Sequence, residues 1–454
     1  RIIDSVLWNN VYICHGAILQ ENVVGTDTEI KDGALLGEGA VVRDHCHIGR
    51  QVVVKANVKV RPYKVVEDGA TLSTSLIWGE RWSKTIFGAY GVTGLANLEI
   101  TPEFAARLGA AYGASLKKGS TVSTSRDAHK ASRMINRAIM TGILSTGVNV
   151  HDYGVTPMPV VRYLARGGSG VRGIHTRRSP FDPELLDLKF FDDNGLDLHP
   201  NNEKAIERLF FREDFRRVSL GETGEMVFPI HGFEYYQDGF MSCIDVDVIR
   251  KAKFKVVLDY SYGSSSRIFP TILGRLNCEI IALNANLDGA RITKSAEEFK
   301  RALGQLSSIV HSLQADVGIL LDAGGEKIFL VDETGDIIGV DMALNLMALL
   351  VMKSGNRKGS IALPITASRV IEEMAGIYGF TIKRTKTTAR GMMEAALDLE
   401  VVFVGEETGG FIFPQFQPAF DGMFATVKLL EMMAVKGMRL HRLTMEIPPG
   451  FVKR

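Results

Sequence analysis

Excess charge of either sign, long apolar runs and closely spaced cysteines are all missing from this chain. Its 454 residues carry 53 Lys and Arg against 52 Asp and Glu, a net charge of +1 with no basic block. A surface that tracks nucleic-acid phosphates needs clustered positive charge, so no nucleic-acid partner is expected. No apolar run approaches the length of a membrane span, and no charged-then-apolar leader opens the chain, so no membrane partner is expected. The four cysteines, Cys14, Cys46, Cys243 and Cys278, lack metal or redox spacing. A reducing cytoplasm is the expected location. No initiating Met is present, and the ends at Arg1 and Arg454 read as those of an interior piece of a longer polypeptide.

What is present begins with a repeat. Ile18, Val24, Ile30, Leu36, Val42, Ile48, Val54, Val60, Val66 and Leu72 stand six apart. Small or compact residues follow many of them by four: Thr28, Ala34, Ala40, Cys46, Val52, Val58 and Ala70. A helix repeats near 3.6 residues and a strand near 2, so neither gives a period of six. A hexapeptide coil does, with one aliphatic per face pointing into a narrow prism. Gly33, Gly39, Gly49 and Gly69 are expected at its corners, and Cys46 inside it. The expectation is a left-handed parallel β-helix over residues 1–82, closed by the segment from Trp78 to Trp82. His15, His45 and His47 on this coil read either as solvated surface or as a general base of the kind trimeric hexapeptide acyltransferases use.

Composition changes near Phe87. Gly88, Gly91 and Gly94 punctuate a loop, and Thr101-Pro-Glu signals a helix start with Thr as cap and Pro in the first turn. Apolar strand-like runs then alternate with helical patterns to about residue 435. That rhythm predicts mixed or parallel sheets covered by helices, in three α/β units.

Four loops follow predicted strands, where open α/β sheets hold ligands. Residues 175–182 contain His175, Arg177, Arg178, Ser179 and Pro180, either an anion-binding set or a solvated loop. Residues 320–327 carry Asp322 and Glu326, which read as a divalent-cation site or as an ordinary hairpin turn. Residues 405–410 carry Glu406 and Thr408, able to hydrogen-bond sugar hydroxyls or to form a plain loop. Residues 88–94 with Arg126 and Asp127 offer amides and a guanidinium to a phosphate, or a structural ion pair.

In this order the motifs resemble the α-D-phosphohexomutase family, the phosphomannomutases and phosphoglucomutases, from about Phe87 to Val435. The family's F-G-T-D-G-I-R-G corresponds to residues 87–94, T-P-E to Thr101–Glu103 and G-V-T-P-x-P to residues 154–159. Further on, a D-x-x-x-G strand-loop matches 259–263, the sugar loop 405–410 and a D-G helix start Asp421-Gly422. The resemblance implies phosphohexomutase domains at 83–245, 246–352 and 353–440, with 441–454 as the start of a truncated fourth. A hexapeptide rod before such a module is similar to mannose-1-phosphate guanylyltransferase/phosphomannomutase-like fusions. The implied partners are a hexose phosphate, a fused nucleotidyltransferase domain absent from this chain, and further copies of the chain in a homo-oligomer.

The departures from the family pattern bear on activity. Aligned on Pro180, the family's T-A-S-H-N-P places Arg177 at the phosphorylated serine, Arg178 at the histidine and Ser179 at the asparagine. An arginine cannot carry a phosphoryl group as a serine does. The metal loop D-G-D-x-D-R retains Asp322, has Gly324 at the second acid, Glu326 at the third and Lys327 at the arginine, so Mg2+ binding is expected to be weak. Thr93 stands at a phosphate-contacting arginine; Glu406 matches, Thr408 replaces a serine, and Lys189 sits at a lysine near the transferred phosphate. The resemblance thus implies catalytic positions Arg177, Arg178, Ser179 and Lys189, phosphate ligands Arg126, Arg177 and Arg178, substrate ligands Glu406 and Thr408, and metal ligands Asp322 and Glu326. Two functions follow. One is a mutase-like module, hexose 6-phosphate to hexose 1-phosphate, serving nucleotide-sugar supply. The other is a non-catalytic sugar-phosphate-binding or oligomerising module that regulates the fused transferase. The substitutions favour lost turnover.

Overall fold

The structure is a computed structural model that describes residues 1–72, 85–166, 172–354 and 358–448. The expected closing segment from Trp78 to Trp82 lies outside the described residues. Two compact units divide the chain: residues 1–88 with 94–104, and residues 89–93 with 105–454.

In the first unit, short strands build three parallel sheets of five, four and four strands. Leu35 lies beside Val53 and Val53 beside Thr71, so one turn takes three hexads. This is the pairing a parallel β-helix requires. Val24, Ile30, Val42, Ile48 and Val60 are fully buried, as are Ala34, Ala40, Cys46 and Val52. Corners recur six apart in the left-handed region at Asp27, Gly33, Gly39, His45, Gln51, Asn57, Tyr63 and Gly69. Most are Asn, Asp or Gly, which tolerate that conformation.

Two expectations need correction. Ile18 is 41% exposed and its neighbour Leu19 is the buried residue. The turn there is one residue short, since Ile18 pairs with Leu35, so the inward position slips by one. Gly49 is not a left-handed corner; a Cβ there would lie 2.7 Å from the backbone N of Asp68, so close approach of the next turn excludes a side chain. Buried polar side chains satisfy corner carbonyls: Asn22 Nδ2 donates to Gly37 O at 2.7 Å and Thr28 Oγ1 to Arg43 O at 2.9 Å. Of the histidines, His45 stacks on Tyr63 at 4.8 Å and His47 lies 3.1 Å from Glu29, both at the surface. They form side-chain ladders across successive parallel strands.

The helix Pro102–Ala114 begins as its sequence predicts, with Thr101 Oγ1 accepting from Phe104 N at 3.2 Å. Three sheets follow in the second unit. Neighbouring strands of the first are Leu185–Phe191, Arg172–Arg178, Thr121–Arg126, Asn149–Val155 and Met226–Val227. The second orders Glu279–Leu283, Lys255–Asp259, Val317–Leu321, Ile328–Val331 and Ile337–Ile338. The third orders Thr381–Thr385, Ser360–Pro364, Val401–Gly405 and Phe411–Ile412.

One device repeats. A strand of each parallel set turns back into an antiparallel partner: Arg172–Arg178 into Leu185–Phe191, Val317–Leu321 into Ile328–Val331, and Val401–Gly405 into Phe411–Ile412. The turns of these hairpins are three of the four loops singled out above. Apolar helices close the core behind them. Val340–Ser354 is apolar nearly all round and buried from Ala343 to Met352, as an interior helix should be. Gly422–Lys436 is equally buried, and its cap Asp421 accepts from Phe424 N at 3.0 Å and from the Tyr236 hydroxyl at 2.6 Å.

Candidate functional site

The first loop differs from its expectation at once. Residues 175–178 belong to the strand Arg172–Arg178, because Leu185–Phe191 supplies an antiparallel partner to its last residue, Arg178↔Leu186. Strand alternation then puts His175 and Arg177 on one face of the sheet and Thr176 and Arg178 on the other, and both faces are covered from Gly173 to Arg177. His175 and Arg177 are both buried.

Arg177 reaches across to the second sheet. Its Nη1 donates to Glu326 Oε2 at 2.9 Å, and its Nε faces Asp187 Oδ2 at 3.5 Å. Neither of those last two atoms has a hydrogen-bond partner. Burial opposes the guanidinium charge, but the carboxylates of Glu326, Asp187 and Asp322 outweigh it and raise its pKa. Asp187 is held in turn by Thr93 Oγ1 at 2.8 Å. Thr93, at the position of a phosphate-contacting arginine in the resemblance, is therefore tied to the residue that holds Arg177.

Arg178 faces outward. Its backbone N donates to Asp127 Oδ2 at 2.6 Å, its Nε to Pro183 O at 2.7 Å and its Nη1 to Ala290 O at 2.9 Å. Arg126 joins the same group through Asp127, donating to its carbonyl at 3.0 Å. Ser179 is 2% exposed, and its carbonyl accepts from Thr293 Oγ1 at 2.9 Å. Its hydroxyl faces the backbone N of Phe181 at 3.4 Å.

Lys189 pairs with Asp197 Oδ2 at 3.5 Å, and Arg162 Nη2 pairs with Asp197 Oδ1 at 2.5 Å. Burial would raise the Asp197 carboxyl, but Lys189 and Arg162 hold it well below the usual carboxylate range. Arg162 Nη2 also lies 3.9 Å from Glu326 Oε1. Glu326 thus sits between two guanidinium groups.

The second loop is a hairpin turn organised by Asp322. Its Oδ1 accepts from Glu326 N and Lys327 N, both at 2.7 Å, and its Oδ2 from Gly324 N at 3.3 Å. Burial and the Glu326 carboxylate push the Asp322 carboxyl upward. The third loop adjoins it: Ile328 N donates to Gly409 O at 3.0 Å, and Lys327 Nζ reaches Glu406 Oε1 at 3.0 Å and Thr408 Oγ1 at 2.5 Å. Thr408 Oγ1 in turn donates to Glu406 Oε1 at 2.7 Å. The structure therefore brings Arg177, Lys189, Asp322, Glu326, Glu406 and Thr408 into one linked network. Arg126, Arg178 and Ser179 form a second group around Asp127 and Thr293.

The family resemblance implies Mg2+, and the acid loop gives the test. Mg2+ demands near-octahedral oxygen ligation. Here one Asp322 oxygen is taken by two backbone amides, Gly324 offers no side chain, and Glu326 Oε2 is taken by Arg177. A Cβ on Gly324 would lie 3.1 Å from both Arg177 Nη1 and Asp322 Oδ2, so the guanidinium stands in the loop itself. The donor set does not fit Mg2+. A separate group, Asp332, Asp336 and His441, has ligand-type atoms within 4.8 Å of one another. It lies at another turn, with Asp332 Oδ1 accepting from Thr334 N and Asp336 N, both at 3.0 Å.

Sequence reasoning did not single out Arg162, Asp187, Asp197 or Lys294. Arg162 offered a signal, a charge inside the apolar pattern of the helix Met158–Arg166. The Lys294 amine is pushed down by burial, opposed by the carboxylates of Asp259 and Asp322.

His175 completes the buried face, its Nδ1 2.7 Å from Ser125 Oγ. Burial, with the cations of Arg177, Arg162 and Lys189, drives its pKa well below the usual value. The unfolded chain, with an ordinary histidine near about 6.5, therefore takes up the proton first, and stability falls as pH drops below that value. Asp421, raised by burial to about 6, works in the opposite sense, so wild type must be compared with His175→Gln. Urea unfolding at about pH 7.5 and 5.5 is expected to show a larger acid loss in wild type than in the variant. Equal losses would show that His175 does not titrate as its surroundings require.

Family models for phosphoglucomutase/phosphomannomutase alpha/beta/alpha domains I, II and III match residues 84–217, 234–335 and 339–451. A phosphoglucomutase/phosphomannomutase of Thermococcus kodakarensis is 33% identical over 367 residues, 80% of each chain. A phosphoglucosamine/phosphogalactosamine mutase of Sulfurisphaera tokodaii is 26% identical over 369 residues, 81% of each. Among solved structures, a phosphoglucomutase/phosphomannomutase family protein of Burkholderia thailandensis shares the fold with a TM-score of 0.69 at 21% identity, covering 81% of this chain and 80% of that one. An Aspergillus fumigatus N-acetylphosphoglucosamine mutase, solved with GlcNAc-6P and magnesium, aligns with a TM-score of 0.52 at 11% identity, over 80% of each. The chain belongs to the phosphoglucomutase/phosphomannomutase family of phosphohexomutases and carries its domains I, II and III.

Proposed function

We propose that this chain binds a hexose phosphate at the converging hairpin loops and does not turn it over. The observation that carries the reading is Arg177: the position of the family's phosphoserine holds a buried guanidinium paired with Glu326. A guanidinium has no oxygen to take up a phosphoryl group, so the relay through a covalent phosphoenzyme has no carrier. Ser179, the neighbouring hydroxyl, is buried and its backbone is fixed by Thr293, which argues against its substituting. Sugar recognition is supported by Glu406 and Thr408, held together beside Lys327. With Arg177 engaged by carboxylates, phosphate binding falls to Arg126 and Arg178, linked through Asp127.

The wider setting belongs to the same proposal. The strand-rich first unit is read as a left-handed β-helix that oligomerises the chain. The module serves nucleotide-sugar supply beside a sugar-1-phosphate nucleotidyltransferase domain in the cytoplasm.

Calorimetric titration with hexose 6-phosphates and hexose 1-phosphates tests the reading. Wild type is expected to bind, Glu406→Gln and Arg178→Ala to bind more weakly, and none of the three to isomerise the ligand. A charge-assisted hydrogen bond is worth about 1.5–3 kcal/mol, so losing one should cost roughly tenfold or more in affinity. Absence of any binding in wild type would refute the sugar-phosphate role.

A further inference from the structure

We propose that the Arg177 guanidinium is the built-in cation of the acid loop, doing electrostatically what a divalent metal would otherwise do there. The inference rests on the reading of Arg177 given above but concerns the loop's charge, not its ligand.

The acid loop and its surroundings concentrate carboxylates. Asp322, Glu326 and Asp187 all bear on one guanidinium, and all three favour its charged form. Arg177 and Glu326 keep side-chain exposures of only 10% and 12%, and Asp187 of 1%, so water screens little of their mutual field. Without a cation, carboxylates this close and this buried repel one another and draw in protons or metal. Arg177 Nη1 instead stands near where a side chain at Gly324 would begin, and it donates to Glu326. Arg162 approaches the other Glu326 oxygen at 3.9 Å. Two fixed guanidinium groups therefore bracket the longer carboxylate that replaces the aspartate of the resemblance. Glutamate at 326 and glycine at 324 fit this arrangement together. The longer side chain reaches the guanidinium, and the missing one leaves it room.

Tethered to a strand, this cation cannot dissociate with a departing ligand or be removed by a chelator. The loop should therefore be organised equally with and without divalent metal.

The test uses the whole chain with Mn2+ and Mg2+ as probes. Wild type is expected to show no Mn2+ binding at this loop by electron paramagnetic resonance titration. Its melting temperature should be the same in EDTA and in Mg2+, and its affinity for hexose 6-phosphate likewise. Arg177→Ala uncovers the carboxylates: its melting temperature should fall by several degrees and recover on adding Mg2+ or methylguanidinium. Arg177→Lys, which keeps the charge, should fall less. The proposal is overturned if wild type binds Mn2+ and Asp322→Asn abolishes that binding, or if wild type is stabilised by Mg2+ in the same Asp322-dependent way. The wild-type arms decide the matter even if Arg177→Ala does not fold. If no hexose phosphate binds, the ligand-binding proposal fails, while the Mn2+ and melting measurements still judge this one.

Discussion

Arg162→Ala is expected to destabilise the chain by about 3–5 kcal/mol, the usual loss when one partner of a buried ion pair is removed. Arg162 is 1% exposed and the largest fully buried side chain among the described residues. Its Nη2 lies 2.5 Å from Asp197, its Nη1 donates to Gly195 O at 2.7 Å, and its guanidinium sits 5.3 Å from the Phe191 ring. Removing it leaves Asp197 buried with Lys189 alone at 3.5 Å, strips a donor from the Gly195 carbonyl and opens a cavity. The cost comes mainly from the carboxylate left behind, not from the strength of the pair. A double variant, Arg162→Met with Asp197→Leu, should therefore be less damaging than Arg162→Ala alone. Urea unfolding monitored by circular dichroism checks both. A single variant milder than the double would contradict this account of the network. Because Asp197 is held below its ordinary pKa, its contribution is present near neutral pH and is lost as pH falls through the folded value, deep in the acid range.

Ala40→Glu is expected to be comparably severe, costing at least about 3 kcal/mol through an uncompensated buried charge. Ala40 is fully buried in one apolar cluster with Ala34, Cys46, Val52 and Val58. Its carbonyl already accepts from Val23 N at 3.2 Å, and no Lys or Arg is buried among the described residues of the first unit to meet a carboxylate there. The expected result is loss of the parallel-sheet signal and aggregation of exposed strand edges. A soluble Ala40→Glu protein with unchanged circular dichroism would count against the coil.

Both predictions mark how far the sequence carried. The hexad was legible because each turn repeats the same burial demand, and only the shortened turn at Ile18 and Leu19 escaped it. Thr101 is legible as a helix start because capping is local chemistry, whereas Asp421 comes from the family motif. The three α/β units follow from alternating elements, but neither their strand orders nor the hairpin partner Leu185–Phe191 does, and without that partner Arg177 reads as a loop residue. Its contact with Glu326 spans 149 positions and depends on two sheets meeting, which no local pattern encodes. Lys189 was found through family likeness, yet its partner Asp197 and the shared Arg162 emerge only in three dimensions.

Intact-mass spectrometry after incubation with hexose 1,6-bisphosphate and Mg2+ tests the central claim, that Arg177 has replaced the phosphoryl carrier. The expected result is an unphosphorylated chain, with no interconversion of hexose 6-phosphate and hexose 1-phosphate in the same sample. A phosphorylated chain whose label maps to residues 175–180 and disappears in Ser179→Ala, together with isomerisation, would contradict it.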